Sequence, residues 1–130
     1  WIVEEETRIA TAKAAERELL AMNMTMEELM STGERVYQGW CVACHQATGA
    51  GLPGIFPALK GSQLILTDRA AHIDIIVNGK PGTAMQAFGR QLSLKELAAV
   101  ITYTRNAFDN NTGDTVQAAD VFAVQQGKGE

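Results

Sequence analysis

The sequence predicts an all-α fold. Three Ser/Thr-x-x-Glu capping boxes stand in it, no segment alternates apolar and polar residues with period two, and Gly and Pro gather in two stretches between helix-forming ones. With 130 residues and 14.0 kDa there is material for one compact domain and not for two.

Residues 2 to 24 are rich in Ala, Glu, Leu and Arg and hold neither Gly nor Pro, so they are expected to form a helix. Its apolar residues Ile2, Ile9, Leu19 and Leu20 form no wide stripe, which makes it a solvated linker about 35 Å long rather than a core element. Thr25-Met-Glu-Glu28 and Ser31-Thr-Gly-Glu34 each fit a helix start, and the helix runs to about Cys44. From Gln46 to Ser62 the chain carries Gly49, Gly51, Pro53, Gly54, Pro57 and Gly61, so it is a long loop with fixed turns. Thr67 is the expected cap of a helix reaching Val77, with Asn78-Gly79 as its stop and Pro81 beyond. A second loop spans Gly79 to Gln91. Ser93-Leu-Lys-Glu96 then opens a helix whose Leu94, Leu97, Ile101 and Phe108 recur at helical spacing. From Asp109 the composition turns to Asn, Gly, Asp and Gln, giving the expectation of a flexible C-terminal tail over 109–130.

The formal net charge of -4 argues against a nucleic-acid partner, which requires a basic face to displace phosphate counterions. The excess lies in residues 1–30, where seven acids face three bases, and the remainder is neutral. An acidic, solvated segment followed by a neutral domain is the organisation this implies. The longest apolar run, Leu97 to Ile101, falls far short of the roughly 20 residues that cross a bilayer, so no membrane contact is required of this chain. Trp1 comes with no initiator Met and no signal-type segment, and the chain is read as a piece of a longer protein.

The chemistry is carried by Cys41-Val42-Ala43-Cys44-His45, a C-x-x-C-H sequence of the kind that attaches c-type haem. Two thiols three positions apart at a helix end can reach the two vinyl groups of one porphyrin, and the adjoining His45 then turns a ring nitrogen to the iron. Three other readings compete. A thioredoxin-like redox pair needs a βαβ setting that the pattern does not offer. Zinc would need all of Cys41, Cys44, His45 and His72, at a spacing wrong for a finger. A Cys41–Cys44 disulfide would close a small strained ring. A large apolar macrocycle would also give the two loops between Gln46 and Gln91 something to pack on. With His45 as fifth ligand, Met85 in the second loop is the expected sixth, and His72 is the alternative.

At these residues the chain resembles the class I cytochromes c, over about residues 25 to 108. The resemblance rests on Gly33-Glu-Arg-Val-Tyr37, the C-x-x-C-H sequence, the Gly49 to Ser62 loop and the Met85 loop. It implies a fold wrapped around one haem c, bound through Cys41 and Cys44 and ligated by His45 and Met85. The Pro57 carbonyl is then expected to hold the outer nitrogen of His45, Leu59 to pack on the haem, and Gly33 and Tyr37 to cross Val100 and Tyr103. Many members place Pro after the ligand Met, where this chain has Gln86.

Trp1-Ile-Val-Glu-Glu-Glu6, Met26-Glu-Glu-Leu-Met30, Gly79-Lys-Pro-Gly82 and Leu97-Ala-Ala-Val-Ile-Thr-Tyr103 are further similar to subunit II of caa3-type haem-copper oxidases. That similarity implies residues 1–24 as an acidic linker from a preceding copper A domain, 25–108 as the cytochrome c domain and 109–130 as the tail. It implies outer-sphere electron transfer, from a mobile electron-donor cytochrome to this haem and on to copper A, with oxygen reduction elsewhere in the parent oxidase. The isolated domain is then not an enzyme and is monomeric, on the periplasmic side of a bacterial membrane-anchored parent. A free-standing periplasmic carrier is the alternative.

Overall fold

The computed structural model describes residues 2–127. Trp1, expected to mark the end of a preceding domain, and residues 128–130 of the expected tail lie outside them. Seven helices follow in order: α1 (Ile2–Ala21), α2 (Met26–Trp40), α3 (Val42–His45), α4 (Gln63–Thr67), α5 (Arg69–Asn78), α6 (Leu94–Asn106) and α7 (Ala118–Gln125). Among the described residues there is no strand, only an isolated bridge between Leu52 and Phe56. No helix is long and apolar enough to cross a membrane among the described residues.

Two of the three capping boxes form, and they start the two helices that build the centre. Thr25 accepts from the Glu28 N–H while Glu28 reaches back to the Thr25 N–H, and Ser93 and Glu96 do the same for α6. Ser31 lies inside α2. The helices cross at Gly33, where a Cβ would lie 2.2 Å from the Ala99 carbonyl oxygen and 2.5 Å from Tyr103 Cβ. Only a residue without a side chain lets the backbones meet there. Leu29, Tyr37, Leu97, Val100 and Ile101 are buried around this crossing. Tyr37, Tyr103 and Phe108 close it with ring centroids 5.2 to 5.6 Å apart.

The structure corrects three boundaries. The motif helix is broken at Cys41, which ends α2 and begins α3. Thr67 closes the short helix α4, which Ser62 caps, and Asp68 is the cap of α5, accepting from the Ala71 N–H. The third correction is larger. Residues 109–127 are no flexible tail: Val116, Ala118 and Val121 are 0 % exposed, and α7 packs on α5 and α6. Their polar side chains are spent on internal bonds. Asp114 forms a two-pronged pair with Arg105 at 2.8 and 3.0 Å, and Thr102 Oγ1 both accepts from the Val116 N–H and donates to its carbonyl.

Helix α1 is exposed along nearly its whole length, with the Glu5–Arg8 pair on its surface. At its end Met24 joins the core cluster. There the Gln117 amide donates to the Met24 carbonyl and accepts from its N–H, both at 2.9 Å.

Candidate functional site

The site is built on α3, one helical turn in which the Cys44 and His45 N–H groups both reach the Cys41 carbonyl, at 3.2 and 3.0 Å. Both thiols are half-buried and unbonded to each other. Burial, and then the neighbouring Cys44, push the Cys41 thiol up to about 11, the opposite of a thiolate primed for exchange. The His45 ring is aimed by its Nδ1, which lies 2.9 Å from the Pro57 carbonyl oxygen. That bond places the proton on Nδ1 and leaves the Nε2 lone pair for a metal. Nε2 has no hydrogen-bond partner among the described residues.

Three further residues fix this geometry, and the local sequence pattern marks none of them for these tasks. Gly51 has φ of 64°, and a Cβ there would stand 2.5 Å from the Pro57 carbonyl oxygen, so glycine lets that carbonyl approach. Its N–H binds the His45 carbonyl at 3.0 Å. Tyr37 donates its hydroxyl to the Gln46 carbonyl at 2.6 Å, pinning the residue after His45. Asn110 ties the loop to α6: its amide nitrogen donates to the Leu59 and Thr104 carbonyls, and its oxygen accepts from the Gly61 N–H. A polar residue in a segment of tail-like composition carried no sign of this.

Leu59 is half-buried against the core cluster, and so is Met85. The Met85 loop is anchored beyond the methionine by Phe88 and Gly89, whose N–H groups bind the Ile76 and Val77 carbonyls at 2.9 and 3.0 Å. Phe88 also meets Trp40, the residue before Cys41, edge to face at 6.0 Å. The Met85 loop thus meets the end of α2 immediately before the C-x-x-C-H turn.

His72 belongs to neither. It is 2 % exposed, with Nε2 3.0 Å from Thr104 Oγ1 and Nδ1 3.4 Å from an Arg105 nitrogen. Arginine offers only donors, so Nδ1 accepts and Nε2 carries the proton to Thr104. Burial and the Arg105 charge push its pKa down to about 3, despite Asp114. Both ring nitrogens are engaged, which removes His72 as an iron ligand. The zinc reading fails too: among the described residues no three His, Cys, Asp or Glu side chains group to hold a metal. Two unbonded thiols and an aimed imidazole on one turn, with a thioether on the adjoining loop, are the donor set that haem c takes.

Comparison with known proteins agrees on the cofactor and differs on the parent. The chain is 32 % identical over 101 residues to the cytochrome c subunit of a quinone alcohol dehydrogenase from Gluconobacter oxydans, covering 70 % of this chain and 21 % of that protein. It is 30 % identical over 106 residues to the cytochrome c subunit of gluconate 2-dehydrogenase from Pantoea cypripedii, covering 73 % and 24 %. The chain thus spans about a fifth to a quarter of the length of these relatives. They are dehydrogenase subunits, not the caa3 oxidase subunit II that the motifs at residues 1–6, 26–30, 79–82 and 97–103 resemble, and they give copper A no support. The physical reason is that the core motifs serve haem binding in any such domain, whereas the partner is recorded outside them. A cytochrome c domain implies haem c with its iron, and the match here runs from α2 through most of α6. A family model described as cytochrome c oxidase, cbb3-type, subunit III covers residues 28–103, more than half of the chain, and the chain belongs to this cytochrome c family.

Proposed function

We propose that this chain is the electron-transfer module of a larger redox assembly, with Cys41 and Cys44 as the thioether attachments of one haem c and His45 and Met85 as its axial ligands. The observation that carries this is the His45–Pro57 bond beside two unbonded thiols on one turn. When bound, haem c supplies a one-electron ferrous/ferric couple, with His/Met ligation favouring the ferrous form. The chain holds that couple in place. Pro57 keeps the His45 ring from turning. Leu59 and the core cluster shield it from water, and a Met85 that stays bound leaves no position for an exogenous ligand.

Attachment of haem c takes place on the outer side of the bacterial cytoplasmic membrane, so the module works in the periplasm. Residues 1–24 form its arm to the rest of the assembly. The relatives' names favour a dehydrogenase catalytic subunit as electron source; the similarity of the arm to the segment after a copper A domain favours a mobile cytochrome as donor and copper A as acceptor. Copper measured against haem in the purified full-length parent separates the two. Copper in stoichiometric amount supports the oxidase arrangement, and copper-free protein that co-purifies with a dehydrogenase subunit supports the other.

Ligation is tested in the 130-residue chain itself. Met85→Ala abolishes the weak sulfur-to-iron charge-transfer band of the ferric protein and lowers the potential, whereas Met30→Ala does neither. An unchanged band in the Met85 variant removes Met85 from the iron.

A further inference from the structure

The loop from Lys80 to Met85 is closed on itself by one hydroxyl and two backbone bonds. Thr83 Oγ1 donates to the Lys80 carbonyl at 2.7 Å and accepts from the Met85 N–H at 3.2 Å. The Met85 carbonyl in turn accepts from the Lys80 N–H at 3.3 Å, and the Thr83 N–H binds the Lys80 carbonyl at 3.2 Å. Both backbone polar groups of Met85 are therefore held within the same six residues. Behind them stands Gly79, buried with φ of 74°, where a Cβ would lie 2.8 Å from the Met85 carbonyl oxygen.

Gln86, on the far side of the methionine, does not lock its own φ as a proline would. After Met85 the chain is held at Gln86 and Ala87 by the Gln91 amide and next by the Phe88 and Gly89 N–H groups, so the Met85 N–H itself depends on Thr83. Nothing apolar restrains the loop at Thr83, which is itself exposed. The side-chain hydroxyl of Thr83 is the one that binds on both sides, to Lys80 and to Met85.

We propose that Thr83 is the positioning residue for Met85: its hydroxyl holds the Met85 backbone so that the thioether stays at the iron, and it thereby sets how readily an external ligand takes that position. This rests on the ligation proposed above. A detached methionine and a competing ligand draw on one equilibrium, so the apparent affinity for the competitor rises with the fraction of protein in the open state. One hydrogen bond of ordinary net strength corresponds to roughly a fivefold change in that fraction.

The test is imidazole binding to the ferric, haem-loaded chain, measured by loss of the sulfur-to-iron band. Thr83→Val, which keeps the shape and removes the hydroxyl, is expected to bind imidazole roughly fivefold more tightly than the parent. Thr83→Ser, which returns the hydroxyl, is expected to restore weak binding. A role confined to loop stability would change thermal unfolding and leave the imidazole affinity where it was. Thr83→Val binding imidazole as the parent does, while Met85→Ala loses the band, overturns the role of Thr83 alone. Met85→Ala that keeps the band overturns the ligation and this inference with it.

Discussion

His72 is the buried titratable residue least expected from the sequence, and its surroundings make the fold sensitive to acid. Facing it are the Arg105 guanidinium, the Thr104 hydroxyl and, beyond Arg105, the Asp114 carboxylate. A proton on Nδ1, which accepts from Arg105, would leave two positive groups 3.4 Å apart in a dry site. With its pKa pushed from 6.5 to about 3, the unfolded chain binds more protons than the folded one between those values. The contribution to stability is complete above pH 6.5 and is lost as pH falls from there towards 3, at up to roughly 1 kcal/mol per pH unit. Asp114 extends the loss to lower pH: burial raises its carboxyl, but hydrogen bonds from Arg105 and Thr112 and the nearby charges of Arg105 and Arg69 outweigh it and hold it below its ordinary value. Denaturant unfolding of the haem-loaded chain between pH 4.5 and 7 should show this slope, and His72→Gln, which cannot titrate, should flatten it. Equal slopes in the two proteins would remove His72 as the source.

Between elements, the Arg105–Asp114 pair ties the C-terminal segment to α6. Arg105 is 4 % exposed and also donates to the Ile65 carbonyl at 2.8 Å, while Arg69 reaches the Thr115 carbonyl and Asp120. Removing Asp114 strands a buried guanidinium, so Asp114→Ala should cost about 2–3 kcal/mol in urea unfolding. The exposed Lys60–Asp109 pair is the contrast: Asp109→Ala should cost under about 1 kcal/mol. Comparable losses for the two would mean that the segment is held by its apolar residues alone. This is also where the sequence was hardest to read. Thr25, Ser93, the C-x-x-C-H turn and the Gly33 crossing are local signals, each decided by neighbours in the chain or by one missing side chain. Asn110, Asp114 and Gln117 look like loop residues because their partners, Leu59, Arg105 and Met24, lie up to 93 residues away. His72 was legible as a helix residue but not as a buried one, since Thr104 and Arg105 are 32 and 33 residues on. The Pro57 carbonyl, 12 residues from His45, was expected from the family resemblance and from no pattern in the loop itself.

The molecule as a whole is a packed helical domain with an exposed, acidic helix as an arm. The 20 residues of α1 span about 30 Å, and with five acids against three bases they carry half of the net charge of -4. An exposed acidic helix has no apolar face to dock it, so its direction depends on how it leaves the domain. Two of the bonds made there come from Gln117, whose amide pairs with both backbone groups of Met24 as another backbone would. The residue is rigid in turn, because its own N–H binds Asp120 at 2.8 Å and its carbonyl accepts the first bonds of α7. The exit of the arm is therefore tied to the C-terminal helix, which α1 also touches, while Met24 packs against the core cluster beside it. A fixed exit would present the arm at a constant angle to whatever precedes it, and keep the site within a small volume of its partner at high effective concentration. If Cys41 and Cys44 carry haem as proposed, cysteines introduced as Lys13→Cys and Lys95→Cys can carry spin labels without competition. The distance distribution between them should be narrow in the parent and should broaden in Gln117→Leu, which leaves the Met24 N–H and carbonyl unpaired. Gln117→Glu keeps the acceptor and loses the donor, so it should fall between the two. If all three distributions have the same width, the arm is directed by the Met24 side chain in the core and not by the Gln117 amide.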